Sequence, residues 1–119
     1  MYNLYHEEIM EHARNPLHKG VCENATHTHK GVNAGCGDEI SLSVKVSDGI
    51  IENMCFDGEG CALSVAACDM LSGVVKGRRV EDVLRMSPGD IYDMLGVSVT
   101  PSRTNCALLG LRTLQKMLR

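Results

Sequence analysis

Three of the six cysteines in this 119-residue chain stand beside glycines or at the start of a helical pattern, where a thiol can do chemistry. Cys36 lies in Ala34-Gly-Cys-Gly-Asp38, Cys61 ends Asp57-Gly-Glu-Gly-Cys61, and Cys106 follows Thr100-Pro-Ser-Arg-Thr-Asn105. Glycine lets the backbone approach a metal closely and frees its amides to bond sulfur. A helix N-terminus adds unpaired N–H groups and the positive end of a dipole, both of which favour thiolate. These are the conditions of a metal or persulfide site, to which Asp38, two residues after Cys36, could add an oxygen ligand. Spacing alone does not decide it. Intervals of 25 and 45 residues match neither a zinc finger nor a redox Cys-x-x-Cys, so thiols with no common role remain a competing reading.

The elements that would position these residues follow from pattern. Residues 3–14 read as a helix with Asn3 as N-cap and Leu4, Ile9 and Ala13 on its apolar side, ended by Asn15-Pro16. Residues 24–30 read as a polar edge strand, and Gly31 to Asp38 as a loop. From Glu39 the sequence alternates, placing Ile40, Leu42, Val44 and Val46 on one strand face. Ser47-Asp48-Gly49 is a hairpin turn, because Asp-Gly accepts positive φ, and Ile50 to Phe56 return. From Cys61 the period becomes helical, with Leu63, Ala66, Ala67, Met70 and Val74 on one face and a stop at Gly77. Val80 to Arg85 make a short helix, and Ser87-Pro88 and Thr100-Pro101 each start another. The last runs from about 101 to 118 with Ala107, Leu108, Leu111, Leu114 and Leu118 inward, leaving Arg103, Arg112, Lys116 and Arg119 for solvent or a partner. The expected class is α+β: a short antiparallel meander of about three strands with helices packed on one face.

Composition narrows the function. A net charge of −3 argues against nucleic-acid binding, and no apolar run approaches a membrane span. The N-terminus lacks the basic and apolar regions of a secretory signal, so the chain reads as cytoplasmic and its cysteines as reduced. Cys68 lies two helical turns from Cys61, roughly 10.5 Å along the axis, and reads with Cys22 and Cys55 as a small core residue. His27 and His29 read as strand decoration and Glu59 as a solvated carboxylate. Arg103, three residues before Cys106, suits either a plain helix start or an accessory role in steadying a thiolate or meeting a partner.

Four motifs carry a more specific signal. Leu4-Tyr-His-Glu-Glu-Ile-Met-Glu-His12 with Asn15-Pro16 and Gly20, Cys36-Gly-Asp38, Gly58-Glu-Gly-Cys61-Ala-Leu-Ser64 and Pro101-Ser-Arg103-Thr-Asn-Cys106-Ala-Leu-Leu109 resemble the IscU/SufU (NifU N-terminal-like) iron–sulfur cluster assembly scaffold family. The resemblance runs over essentially the whole chain and implies one scaffold domain spanning residues 1–119. IscU-type members carry His before the third cysteine, where this chain has Asn105. An amide oxygen is a poor ligand beside thiolates, so the fourth place falls to Asp38. Pro-x-Arg-x-x-Cys-Ala resembles the SufU branch instead, whose members hold zinc with three Cys and one Asp. That branch carries an insertion between the second and third cysteines that the 45-residue interval here is too short to contain.

The resemblance implies a scaffold and not a stand-alone enzyme. A cysteine desulfurase would deliver sulfur as a persulfide, iron would join it, and a labile [2Fe–2S] cluster would pass to apo iron–sulfur acceptor proteins. Cys36, Cys61 and Cys106 would be thiolate ligands and Asp38 the exchangeable oxygen ligand, swung away by its glycine loop. Zinc would fill the site in the absence of cluster. The protein is expected as a monomer or weak homo-oligomer. Two rivals stand beside this: a SufU-type zinc-dependent sulfur acceptor, or sulfurtransferase, and a structural zinc-binding interaction module.

Overall fold

The computed structural model describes residues 4–33, 35 and 37–119, with Leu4 and Tyr5 described by backbone alone. The expected N-cap Asn3 and the candidate ligand Cys36 therefore lie outside the described residues, as does the Leu4 side chain. Helix α1 (Leu4–Arg14) is followed by strands β1 (His27–Asn33), β2 (Asp38–Ser47) and β3 (Ile50–Glu59). Helices α2 (Ala62–Val75), α3 (Val80–Leu84), α4 (Pro88–Leu95) and α5 (Thr104–Leu118) complete the order, with a 3-10 turn at Pro101–Arg103 before α5. The sheet is antiparallel in the order β1-β2-β3. This is the expected α+β class.

The hairpin forms for the reason its sequence gives. Asp48 and Gly49 take φ of 53° and 76°, and Ser47 pairs with Ile50. Ile40, Leu42 and Val44 of β2 and Ile51, Met54 and Phe56 of β3 are buried. They meet Ala66, Ala67 and Leu71 of α2 and Leu108, Leu111 and Leu114 of α5 in one apolar core. A bulge between Lys45 and Val46 interrupts the alternation, and Val46 is only partly buried.

Three strand boundaries lie three residues beyond expectation, and the last helix opens with the 3-10 turn before α5 begins at Thr104. The edge strand starts at His27, not residue 24, because Asn24 takes a φ of 58° that no strand accommodates. It then continues through Gly31 to Asn33, where a loop was expected. Gly31 belongs in the strand because β1 crosses α5 there, and a Cβ would overlap Thr113 Oγ1. β3 runs on to Glu59 rather than stopping at Phe56, since Asp57 to Glu59 still pair with Ser41 to Glu39.

The free edge of β3 is partly occupied. Phe56 exchanges backbone hydrogen bonds with His18 and Gly20 at 3.0 and 2.7 Å, and Ile51 with Arg78 and Gly77 at 2.9 and 2.7 Å. The segment leaving α1 thus returns along the sheet before β1 begins.

Candidate metal centre

Asp38, Cys61 and Cys106 each arrive from a different element. Asp38 is the first residue of β2 and pairs with Asn33 across the β1–β2 ladder. Cys61 is the N-cap of α2, with extended backbone (φ −68°, ψ 165°), and its Sγ accepts the Ser64 N–H at 3.5 Å. Cys106 lies in the first turn of α5, behind the 3-10 turn that Pro101 begins. One potential ligand atom from each of the three lies within 4.8 Å of the others. Among the described residues this is the one group of three or more such side chains with that geometry. Donors around a tetrahedral zinc at about 2.3 Å stand a little under 4 Å apart, so the set needs small adjustment.

The glycines earlier tied to close approach are required here. Gly58, at φ 124°, would drive a Cβ into the Glu39 carbonyl. A Cβ on Gly60 would come within 2.9 Å of Asp38 Oδ1 and 3.2 Å of Ser64 Oγ. The Gly-x-Gly-Cys run therefore lets β3 pass tightly over β2 and turn Cys61 back onto Asp38.

Asp38 is wholly buried. Its Oδ1 accepts the Cys61 N–H at 2.9 Å and its Oδ2 the Asn33 Nδ2 at 3.4 Å. Asp38 thus stands at the start of β2, tied to the Cys61 amide, where the sequence suggested a residue carried on a glycine loop. The same Asn33 amide reaches Cys106 Sγ at 3.8 Å. Asn33 was not singled out from sequence, because its role depends on a strand that begins and ends three residues later than the pattern indicated.

The donors suit the metals considered: two sulfurs and one carboxylate oxygen, with a third thiol, Cys36, two residues from Asp38 in sequence. One buried atom lacks a protein partner beside them. Ser64 is 0% exposed, and its Oγ makes no hydrogen bond among the described residues. Cys106 is buried and Cys61 partly exposed, so the site opens on the Cys61 side.

The remaining candidates fall elsewhere. Arg103 is exposed on the 3-10 turn. Cys68 is 1% exposed and packs against Gly110 of α5, where a Cβ would stand 2.9 Å from its sulfur. Burial, then the charges of Asp38 and Asp69, push its thiol up to about 12. Cys22 is buried beside Ser43, and Cys55 is partly exposed, so of the two only Cys22 is fully a core residue. Burial and the facing Cys22 thiol raise Cys55 to about 11, against a lesser opposing pull from Lys76. His27 and His29 are not part of the candidate metal group.

A three-stranded antiparallel sheet backed by helices, with a carboxylate and two thiols gathered at its end, defines a class of small α+β proteins with a potential metal site. Residues 4–119 match the model of the NifU-like N terminal domain, and the chain belongs to that family. It is 35% identical over 130 residues to the zinc-dependent sulfurtransferase SufU of Bacillus subtilis, covering 95% of this chain and 88% of that one. It is 31% identical over 132 residues to the iron–sulfur cluster assembly scaffold protein IscU of Thermotoga maritima, covering 98% and 93%. Both alignments are longer than the chain, so both relatives carry residues with no counterpart here. The crystal structure of a putative iron–sulfur cluster assembly scaffold protein for the SUF system from Fervidobacterium islandicum superposes with a TM-score of 0.84. It does so at 24% identity over 99% of this chain and 96% of that one, a likeness of fold.

Proposed function

We propose that this chain, acting as one domain over residues 1–119, is an iron–sulfur cluster assembly scaffold. The observation that carries the reading is the meeting of Asp38, Cys61 and Cys106 from three separate elements. A site thiolate attacks the outer sulfur of a cysteine desulfurase's persulfide, taking it up as a new persulfide while the desulfurase leaves as thiolate. Iron then joins, the sulfur is reduced to sulfide by an electron donor, and a labile [2Fe–2S] cluster is held by Cys36, Cys61 and Cys106 with Asp38 as the exchangeable ligand. An apo acceptor protein removes it. A half-open mouth supports this over a closed structural zinc module, in which no site thiol would be reachable. Arg103, exposed beside the mouth in sequence, is assigned to the docking surface.

A zinc-dependent sulfurtransferase is the second reading, favoured by Asn105 where IscU-type chains carry His and by the identity with the Bacillus protein. There, zinc orders the thiols, and the chain's own cysteine accepts sulfur and delivers it onward. Anaerobic incubation with iron, cysteine and a desulfurase tests the two. Matching iron and acid-labile sulfide on the protein supports the scaffold. Tight zinc, faster desulfurase turnover and no cluster would replace it with the sulfurtransferase.

A further inference from the structure

Within α2 two serines are equally hidden, and only one has a reason to be. Ser64 and Ser72 are each 0% exposed. Ser72 Oγ donates to the Cys68 carbonyl at 2.8 Å, the usual way a helix absorbs a buried hydroxyl. Ser64 Oγ has no partner among the described residues. Burying a hydroxyl without a hydrogen bond is unfavourable, and such orphans in a native fold call for a missing partner.

The surroundings of Ser64 say where that partner belongs. Its own amide donates to Cys61 Sγ at 3.5 Å. Its Oγ and Asp38 Oδ1 both flank the space in front of Gly60, at 3.2 and 2.9 Å from where a Cβ would stand. Thus a buried, unspent O–H lies beside two members of the candidate ligand set. A hydroxyl can donate to a metal-bound thiolate or to delivered sulfide, drawing charge from sulfur beside the buried Asp38 and Cys106.

We infer that Ser64 is a positioning residue of this site, its hydroxyl donating to a sulfur at the bound metal, a ligand thiolate or delivered sulfide. The inference rests on the ligand assignment above and adds a residue to it.

The test compares Ser64→Ala with Ser72→Ala in the full chain, using cobalt(II) under anaerobic conditions as the probe. Thermal midpoints of the metal-free proteins and cobalt affinity, read from thiolate-to-cobalt charge-transfer absorption, are measured together. Ser64→Ala is expected to leave the metal-free midpoint unchanged or raise it, since an orphan is removed. Its cobalt affinity should fall roughly three- to tenfold, the loss of about one hydrogen bond, with a shift in the charge-transfer band. Ser72→Ala should lower the midpoint and leave affinity and band alone. Ser64→Ala that behaves like Ser72→Ala would overturn the inference while leaving the site intact. A wild-type protein without any thiolate–cobalt band would overturn the ligand assignment itself, and this inference with it.

Discussion

Asp38 and Asp69 are both aspartates with no exposed surface, one entering the sheet and one in the middle of α2. Their surroundings differ in completeness. Asp69 Oδ2 holds the His12 ring at 2.5 Å, and its Oδ1 takes both the backbone N–H of His18 at 2.8 Å and the His18 ring at 3.1 Å. Burial alone would raise its pKa, but His12, the backbone of His18 and Leu17, and the His18 ring together hold it below the usual carboxylate value. Among the described residues, Asp38 has the Cys61 amide at good distance and a long contact to Asn33, beside two thiols. A saturated buried carboxylate fastens α1 and the following segment to α2. A half-satisfied one among thiols has capacity left for a metal. A groove of about 910 Å³ lies over His12 and His18, away from the thiols. Volume is a poor guide here, because a metal or small cluster needs matched donors more than space.

The largest effect should follow from breaking the saturated end. Asp69→Ala strands the amides and imidazoles it served, and should cost about 3 kcal/mol or more, read as a lowered urea midpoint with metal uptake kept by the folded fraction. The same carboxylate sets an acid limit. Its folded pKa lies below the unfolded value near 3.9, so its contribution is full above that value and is lost as pH falls through the folded one. Asp69→Asn should therefore flatten the stability profile below about pH 4. An unaltered acid profile would place the acid limit elsewhere.

At the other end, Cys61→Ser should abolish the binding of about one zinc per chain, while Cys68→Ser retains it. The reverse pattern would refute the ligand set. Native alkylation sharpens the contrast, since Cys61 is partly exposed and Cys68 is sealed and held neutral. Iodoacetamide should label Cys61 and reach Cys68 only on unfolding.

Asp38→Ala should cost less than the Asp69 change, about 1–2 kcal/mol from the orphaned Cys61 amide, and should also slow cluster transfer to an apo-ferredoxin. A lowered melting temperature with unaltered transfer kinetics would reduce Asp38 to a structural acceptor. The smallest effect belongs to the surface. Arg103, Arg112, Lys116 and Arg119 are exposed on and beside α5. Reversing Arg112 and Lys116 should weaken desulfurase binding severalfold at low salt and little at high salt. Equal affinities in both salts would exclude this face from docking.

Much of this was legible because the signals are local. The Asp48-Gly49 turn, the alternation through β2, the Ser87-Pro88 helix start and the glycines before Cys61 depend on neighbours in sequence. The three separated ligand candidates could be paired only through the family resemblance, since nothing in their spacing brings Asp38 to Cys106. What escaped depends on tertiary approach. Gly31 reads as a loop until α5 is laid across it, and Asn33 reaches Cys106 only once the strand is extended. His12, His18 and Asp69 meet from three segments, and no short-range pattern joins them.

The covered edge of β3 bears on how the protein behaves when crowded. A three-stranded sheet has two open rims, and an open rim is a template onto which another chain's strand can add. Here residues 18–20 bind Phe56 and residues 77 and 78 bind Ile51, so the free run along β3 is short and includes the exposed Glu52. The opposite rim, β1, carries Lys30 and two histidines, although Val32 is exposed there too. Both rims are thus poor templates for the strand of a further copy. Loosening residues 18–20 would bare Phe56's backbone groups and open that stretch of β3 to strand addition.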